Sequence, residues 1–294
     1  MRELVFIHGR AQHGKDANAL KQEWIDAWGE GLAKSGLTMP ISPSQIRFPY
    51  YGDTLDQLVQ GVSDGERAEV VVRGLDIGDD EKSFIQEYVG EVQEKCEAIG
   101  SPLPAALPDV EYGERGVLNW PWVQAILRML DGVSPASKAS VALFANDVFR
   151  YLHANEIRHV IDEGVRQAFA RDTDTVVVGH SLGSVVAYNV LHRYGPQAGW
   201  RVPLFVTLGS PLAVSAIRRR LVPAPRHPEC VRDWFNALDP RDVVALWPLD
   251  GERFMVNPAI ENKTDVDNFT ENRHGIRGYL SDADVAYRIY AHLT

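Results

Sequence analysis

Gly179-His180-Ser181-Leu182-Gly183 sets a serine between two glycines, directly after the strand-forming run Thr175-Val176-Val177-Val178. The residues that follow, Ser184 to Leu191, are mostly small or apolar and suit a helix. At such a strand-to-helix turn a serine hydroxyl is exposed above the carboxyl ends of the strands, and the glycines let neighbouring backbone approach. The free N–H groups that open the helix point toward developing negative charge. These features fit attack on an acyl carbon. As a purely structural device the same serine would be a helix N-cap.

A serine hydroxyl is a poor nucleophile until a base takes its proton. The chain has nine histidines. His180 is adjacent, but on such a turn its side chain points away from that of Ser181. His8 follows the first apolar run, and His192, His227 and His292 have no comparable context. His274, in "ENRHGIRGYLSDADV", is at a loop position where an imidazole can be exposed, and it is the expected base. The base in turn needs a carboxylate to fix its tautomer. "FNALDPRDVVALWPL" offers Asp239, before a proline, and Asp242, before Val243-Val244, and the residues by themselves leave both open. Ser181, Asp242, His274 is the chain order this kind of site needs. The backbone amides of Arg10, in "FIHGRAQ", and of Leu182 are the expected pair of oxyanion donors.

The elements that would carry these groups alternate. Leu4 to Ile7 reads as a buried parallel strand, and Asn18 to Lys34 as a helix with Leu20, Trp24, Trp28 and Leu32 on one face. A second strand is expected within Ile41–Tyr50. Helices are expected over Phe84–Ile99, with Phe84, Ile85, Tyr88, Val89 and Val92 as its apolar stripe, and over Ile157–Ala170. Val141–Leu152 reads as a further buried segment. Strands over Val202–Leu208 and Val231–Asn236 and a last helix over Ala283–Leu293 complete the pattern. Alternating strands and helices predict an α/β fold, a mostly parallel central sheet with helices on both faces. Residues 54–137 interrupt that pattern. They read as a largely helical insertion, a cap or lid on a single domain, since a structureless loop of that length is rare.

The quoted pieces, with "VFIHGR", "TLGSPL" and "RHGIRGYL", resemble the α/β-hydrolase superfamily, in particular its lipase and serine-esterase-like branch. The resemblance implies an α/β-hydrolase fold of about six strands, shortened at the N-terminus. It implies Ser181 as nucleophile in the Gly-His-Ser-x-Gly elbow, His274 as base, and oxyanion donors at Arg10 and Leu182. It favours Asp242 over Asp239, because the acid of lipase-like members often precedes a hydrophobic pair and a later proline. The implied activity is hydrolysis of a carboxylic or lipid ester without a cofactor. The rival readings are an acyltransferase or thioesterase with the same site, and an inactive scaffold that binds protein. The insertion matches no cap that could be assigned. Trp120, Trp122, Ile126, Leu127, Met129 and Leu130 could line an acyl pocket there or form the core of its helices. Ser210 of the Gly-Ser-Pro piece could line the site or cap the next segment.

Bulk composition narrows the partners. A net charge of −10 over 294 residues argues against a nucleic-acid partner and leaves a small-molecule or lipid acyl substrate. The one dense positive run, Arg218-Arg219-Arg220 followed by Arg226, reads as a solvated helix end or a patch for an acidic group. Cys96 and Cys230 are the two cysteines, which suits a reducing compartment. The first apolar run is too short for a signal peptide, and nothing approaches a spanning helix, so a cytoplasmic location is expected.

Overall fold

A computed structural model describes residues 2–9, 15–52, 79–98, 144–145, 147–270 and 273–294. Six strands form one parallel sheet: β1 (Arg2–Ile7), β2 (Ile46–Arg47), β3 (Asp174–His180), β4 (Val202–Leu208), β5 (Val231–Ala237) and β6 (Glu261–Lys263). Their order across the sheet is β2-β1-β3-β4-β5-β6. Helices pack on both faces, and the architecture is α/β-hydrolase-like.

Side-chain alternation divides the core into two layers. Leu4, Phe6, Val176, Val178, Leu204 and Val206 face α1 (Ala17–Lys34), α6 (Ile276–Leu280) and α7 (Ala283–Ala291). Val5, Ile7, Val177 and Phe205 face the opposite way, toward α2 (Asp79–Ala98), α3 (Asn155–Arg166), α4 (Leu182–Ala198) and α5 (Ser215–Arg218). In α1 the four-residue spacing buries Leu20, Trp24, Trp28 and Leu32, and Asp16 caps the helix by accepting from the Ala19 amide at 2.8 Å. Trp28 has its indole N–H satisfied by the Ala286 carbonyl at 3.1 Å. Burying a side chain of that size is worth roughly 5 kcal/mol before entropy is counted.

The second strand is shorter than the sequence suggests. Only Ile46 and Arg47 pair with β1, because Pro43 and Pro49 cannot donate to a ladder. β6 and the short helices α5 and α6 are elements the sequence pattern does not announce. Of the 54–137 insertion, α2 lies within the described residues. Its Phe84, Tyr88 and Val92 are buried, while the side chains of Ile85 and Val89 lie outside them.

α2 is fastened to the sheet domain by charge as well as by apolar burial. Glu87 pairs with Arg219 and Arg220, Glu94 with Arg253, and the buried Glu91 accepts from the Ser215 amide at 2.6 Å and the Trp247 indole at 2.9 Å. The Arg218–Arg220 run is therefore not a merely solvated helix end: two of its guanidinium groups face the acidic side of α2. Tyr88 donates to the Val243 carbonyl at 3.0 Å, which sets α2 over the loop that follows β5.

The strand order also fixes where a site can form. The chain leaves β1 for β2 on one side and later enters β3 on the other. Loops at the carboxyl ends of β1 and β3 diverge, and the crevice between them is where open α/β sheets bind ligands. Gly9 lies near the start of one of these loops and Ser181 begins the other.

Candidate active site

Ser181 joins β3 to α4 with φ 57° and ψ −130°, a conformation costly for any residue with a Cβ. The strain is held in place from below. Ser184 donates through its hydroxyl to the Ser181 carbonyl at 2.6 Å and accepts from the Ser210 hydroxyl at 2.8 Å. Ser210 in turn accepts from the Leu212 amide at 3.3 Å. Ser210 is thus a buried cap joined to the turn, and its proton direction is set by its neighbours.

The two glycines of the pentapeptide serve close approach. A Cβ on Gly183 would lie 2.2 Å from the Ile7 carbonyl oxygen and 2.4 Å from that of His8. One on Gly179 would lie 2.8 Å from the Ser184 Cα. Gly9, on the β1 side, is as confined: its Cβ would come within 2.8 Å of the Ser181 Cβ. Because the atoms met by Gly183 are backbone, Gly183→Ala is expected to destabilise the fold by about 3 kcal/mol. Urea unfolding measures this, and an unchanged midpoint would show that β1 can yield.

Histidine and carboxylate come to this serine from distant segments. His274 Nε2 is 2.8 Å from Ser181 Oγ, and His274 Nδ1 is 2.7 Å from Asp242 Oδ2. An ionised carboxylate only accepts, so Nδ1 carries the proton and the Nε2 lone pair faces the serine hydroxyl. Asp242 is completely buried. Burial alone would raise its pKa, but the His274 imidazole, its hydrogen bond, the Tyr279 hydroxyl and the Val244 amide together hold it below the ordinary value. Its Oδ1 accepts from the amides of Val244 at 2.8 Å and Ala245 at 3.3 Å.

Asp239, the other candidate, has a different set of partners. Its oxygens accept from the amides of Arg241 at 2.7 Å and Asn268 at 2.8 Å. Asn268 then ties down the loop before α6, donating to the Gly275 carbonyl at 2.9 Å and accepting from Thr270. Asp239 thereby holds the His274 loop and does not touch the imidazole.

His180, next to the serine in sequence, and His8, on the β1 loop that packs beside it, are neutral and engaged elsewhere. His180 donates from Nε2 to the His274 carbonyl at 2.8 Å, and burial pushes its pKa down to about 3. His8 donates from Nδ1 to the Gly9 carbonyl at 2.6 Å and accepts the Tyr51 amide on Nε2 at 3.1 Å. Burial brings its pKa down to about 4. Both rings orient loops of the site. Gly209, with φ 54°, passes so close to His274 and Tyr279 that a Cβ would lie 3.1 Å and 2.9 Å from their rings.

Leu182 is buried and opens α4, so its amide has no acceptor within the helix. Arg10 lies outside the described residues, as do Trp120, Trp122, Ile126, Leu127, Met129 and Leu130. The aromatic wall within the described residues is Phe144, whose ring centroid is 6.3 Å from that of His274, backed by Tyr88 at 6.1 Å. Sequence reasoning missed Tyr279, Ser184 and the part played by His180. The available signals were a tyrosine in "RHGIRGYL" whose buried hydroxyl must find a partner, and the His–Ser order of the turn itself.

Compared with protein-family models, with curated proteins and with solved structures, the chain matches none. Among the described residues no group of three or more His, Cys, Asp or Glu side chains could hold a metal ion, and no helix is long and apolar enough to cross a membrane.

Proposed function

We propose that this protein is a serine hydrolase of the lipase and esterase-like kind, cleaving a carboxylic or lipid ester through a Ser181–His274–Asp242 triad. The observation that carries the reading is the unbroken line of hydrogen bonds from Ser181 Oγ through His274 to Asp242, at 2.8 and 2.7 Å, on a serine held at positive φ.

His274 Nε2 takes the Ser181 proton as Oγ bonds to the acyl carbon, and the carbonyl oxygen becomes an oxyanion. The amide of Leu182 and that of Arg10 are the donors proposed for that oxyanion; the tight packing of Gly9 beside Ser181 supports bringing the β1 loop to this spot. His274 returns its proton to the leaving alcohol as the tetrahedral adduct collapses to an acyl-enzyme. Water then attacks, gives a proton to His274, and the acid leaves as that proton returns to Ser181. Asp242 keeps the proton on Nδ1 and stabilises the imidazolium formed twice per cycle.

Phe144 beside His274 favours an apolar acyl group. The insertion over residues 54–137 is proposed as the cap that completes the acyl pocket, with α2 as its anchor on the sheet domain. The cytoplasm is proposed as its location, since a chain with two cysteines suits a reducing compartment.

Labelling with a fluorophosphonate and peptide mapping tests the reading. The expected adduct is on Ser181, absent in Ser181→Ala and formed at least about 1,000-fold more slowly in His274→Ala. Folded protein that takes no label would overturn it. An acyl-enzyme resolved faster by an added alcohol or thiol than by water would assign acyl transfer in place of hydrolysis.

A further inference from the structure

Tyr279, on α6, is completely buried against the loop after β5. Its ring packs in the core, but its hydroxyl has two specific partners. The Asp239 amide donates to it at 3.1 Å, and it lies 2.6 Å from Asp242 Oδ2. An amide N–H can only donate, so the phenol oxygen accepts there and spends its one proton on the carboxylate. Oδ2 is also the oxygen that receives His274 Nδ1–H at 2.7 Å. The directed chain runs from the Asp239 amide, through Tyr279, to Asp242, with His274 arriving at the same atom from the other side.

We propose, on the basis of the serine-hydrolase reading, that Tyr279 is a positioning residue for the reaction. It pins the Asp242 carboxylate in plane with the imidazole and shares the charge on Oδ2, so that it sets how firmly His274 holds its second proton. Packing alone would be satisfied by phenylalanine, which has the same ring. The hydroxyl is the part that packing does not require.

The direction of the effect follows from electrostatics. With two donors on Oδ2, the charge facing Nδ1 is partly neutralised. With the phenol removed, His274 becomes the only donor on that oxygen among the described residues, on a fully buried carboxylate. The imidazolium is then stabilised more, and the base stays protonated to higher pH. The other groups around the pair are the same in both proteins. Tyr88, kept protonated by burial and by the charges of Asp242 and Glu91, is on the α2 side. His180 is neutral with its ring centroid 4.8 Å from that of His274. Arg241 and Arg273 are 3.6 and 3.7 Å from Asp239. The difference therefore reports on the phenol.

The test compares wild type with Tyr279→Phe in two ways. One is the pH dependence of kcat/KM for a p-nitrophenyl ester. The other is an NMR titration of the His274 Cε1–H, which needs no turnover. Both midpoints are expected to rise by about 0.5 to 1 pH unit, with kcat lower by about 10-fold. A second protein carrying 3-fluorotyrosine at this position, a stronger donor of nearly the same volume, should move both midpoints the other way. It serves where Tyr279→Phe does not fold. Midpoints unmoved in folded variants would overturn the proposal and leave Tyr279 a packing residue. Wild-type protein that neither turns over esters nor takes a phosphonate would instead defeat the hydrolase reading, and the NMR midpoint would still decide whether Tyr279 tunes His274.

Discussion

Replacing Ser181 by alanine is expected to lower kcat for ester hydrolysis by about a million-fold, to the residual level that binding and oxyanion donors alone provide. The fold should persist. Alanine keeps the Cβ that the positive φ already accommodates, and the hydroxyl's partner is His274 Nε2, not a structural group. Ser184 holds the turn through the Ser181 carbonyl, which the substitution leaves in place. Adding His274→Ala to this variant should cost little more, because the two residues act on one proton and their losses do not add. Single-turnover kinetics on the purified variants would measure both. A Ser181→Ala protein with more than about one hundredth of wild-type turnover would rule out this nucleophile, since losses for a triad serine are far larger.

Asp242→Asn should reduce kcat by about 10,000-fold with little change in KM. An asparagine amide presented to Nδ1 would favour the imidazole with its proton on Nε2, and the lone pair needed to accept from Ser181 would be lost. Asp239→Asn provides the contrast. Its oxygens accept from the Arg241 and Asn268 amides. Turning one of them into an NH2 leaves a buried amide unpaired and should cost about 1 to 3 kcal/mol of stability. Its kcat is expected to stay within about 10-fold of wild type, because the His274 loop retains its bonds through Asn268 and His180. Turnover and urea unfolding of both variants, measured together, separate the roles. The reverse ranking in kcat would move the acid to Asp239.

Much of the architecture is legible in the chain because it depends on near neighbours. Continuous apolar runs at Leu4–Ile7 and Val176–Val178 give strands buried on both faces, and four-residue spacing in α1 gives a helix with one tryptophan-rich side. Where the local signal is weak the reading fails in a physical way. Prolines cut the expected second strand to two paired residues, and β6, with the sequence Glu-Asn-Lys, carries no apolar pattern because it is an edge. The strand-to-helix turn around Ser181 is local too, which is why its glycines and the opening of α4 can be read from a single pentapeptide.

What the sequence by itself determined is most of the longer elements, their order, and a short list of groups able to do acyl chemistry: one serine, a favoured histidine and two aspartates. Tertiary structure alone decided which of these meet. Asp239 and Asp242 are three positions apart on one loop, and nothing in their spacing says which carboxylate faces Nδ1. That depends on where α6 brings Tyr279 and where His180, 94 positions away in sequence, catches the His274 carbonyl. Such contacts form only after the chain has returned across the sheet, so they leave no periodic trace in it. A buried hydroxyl or imidazole must still be satisfied, and that requirement made Tyr279, Ser184 and His180 part of the site.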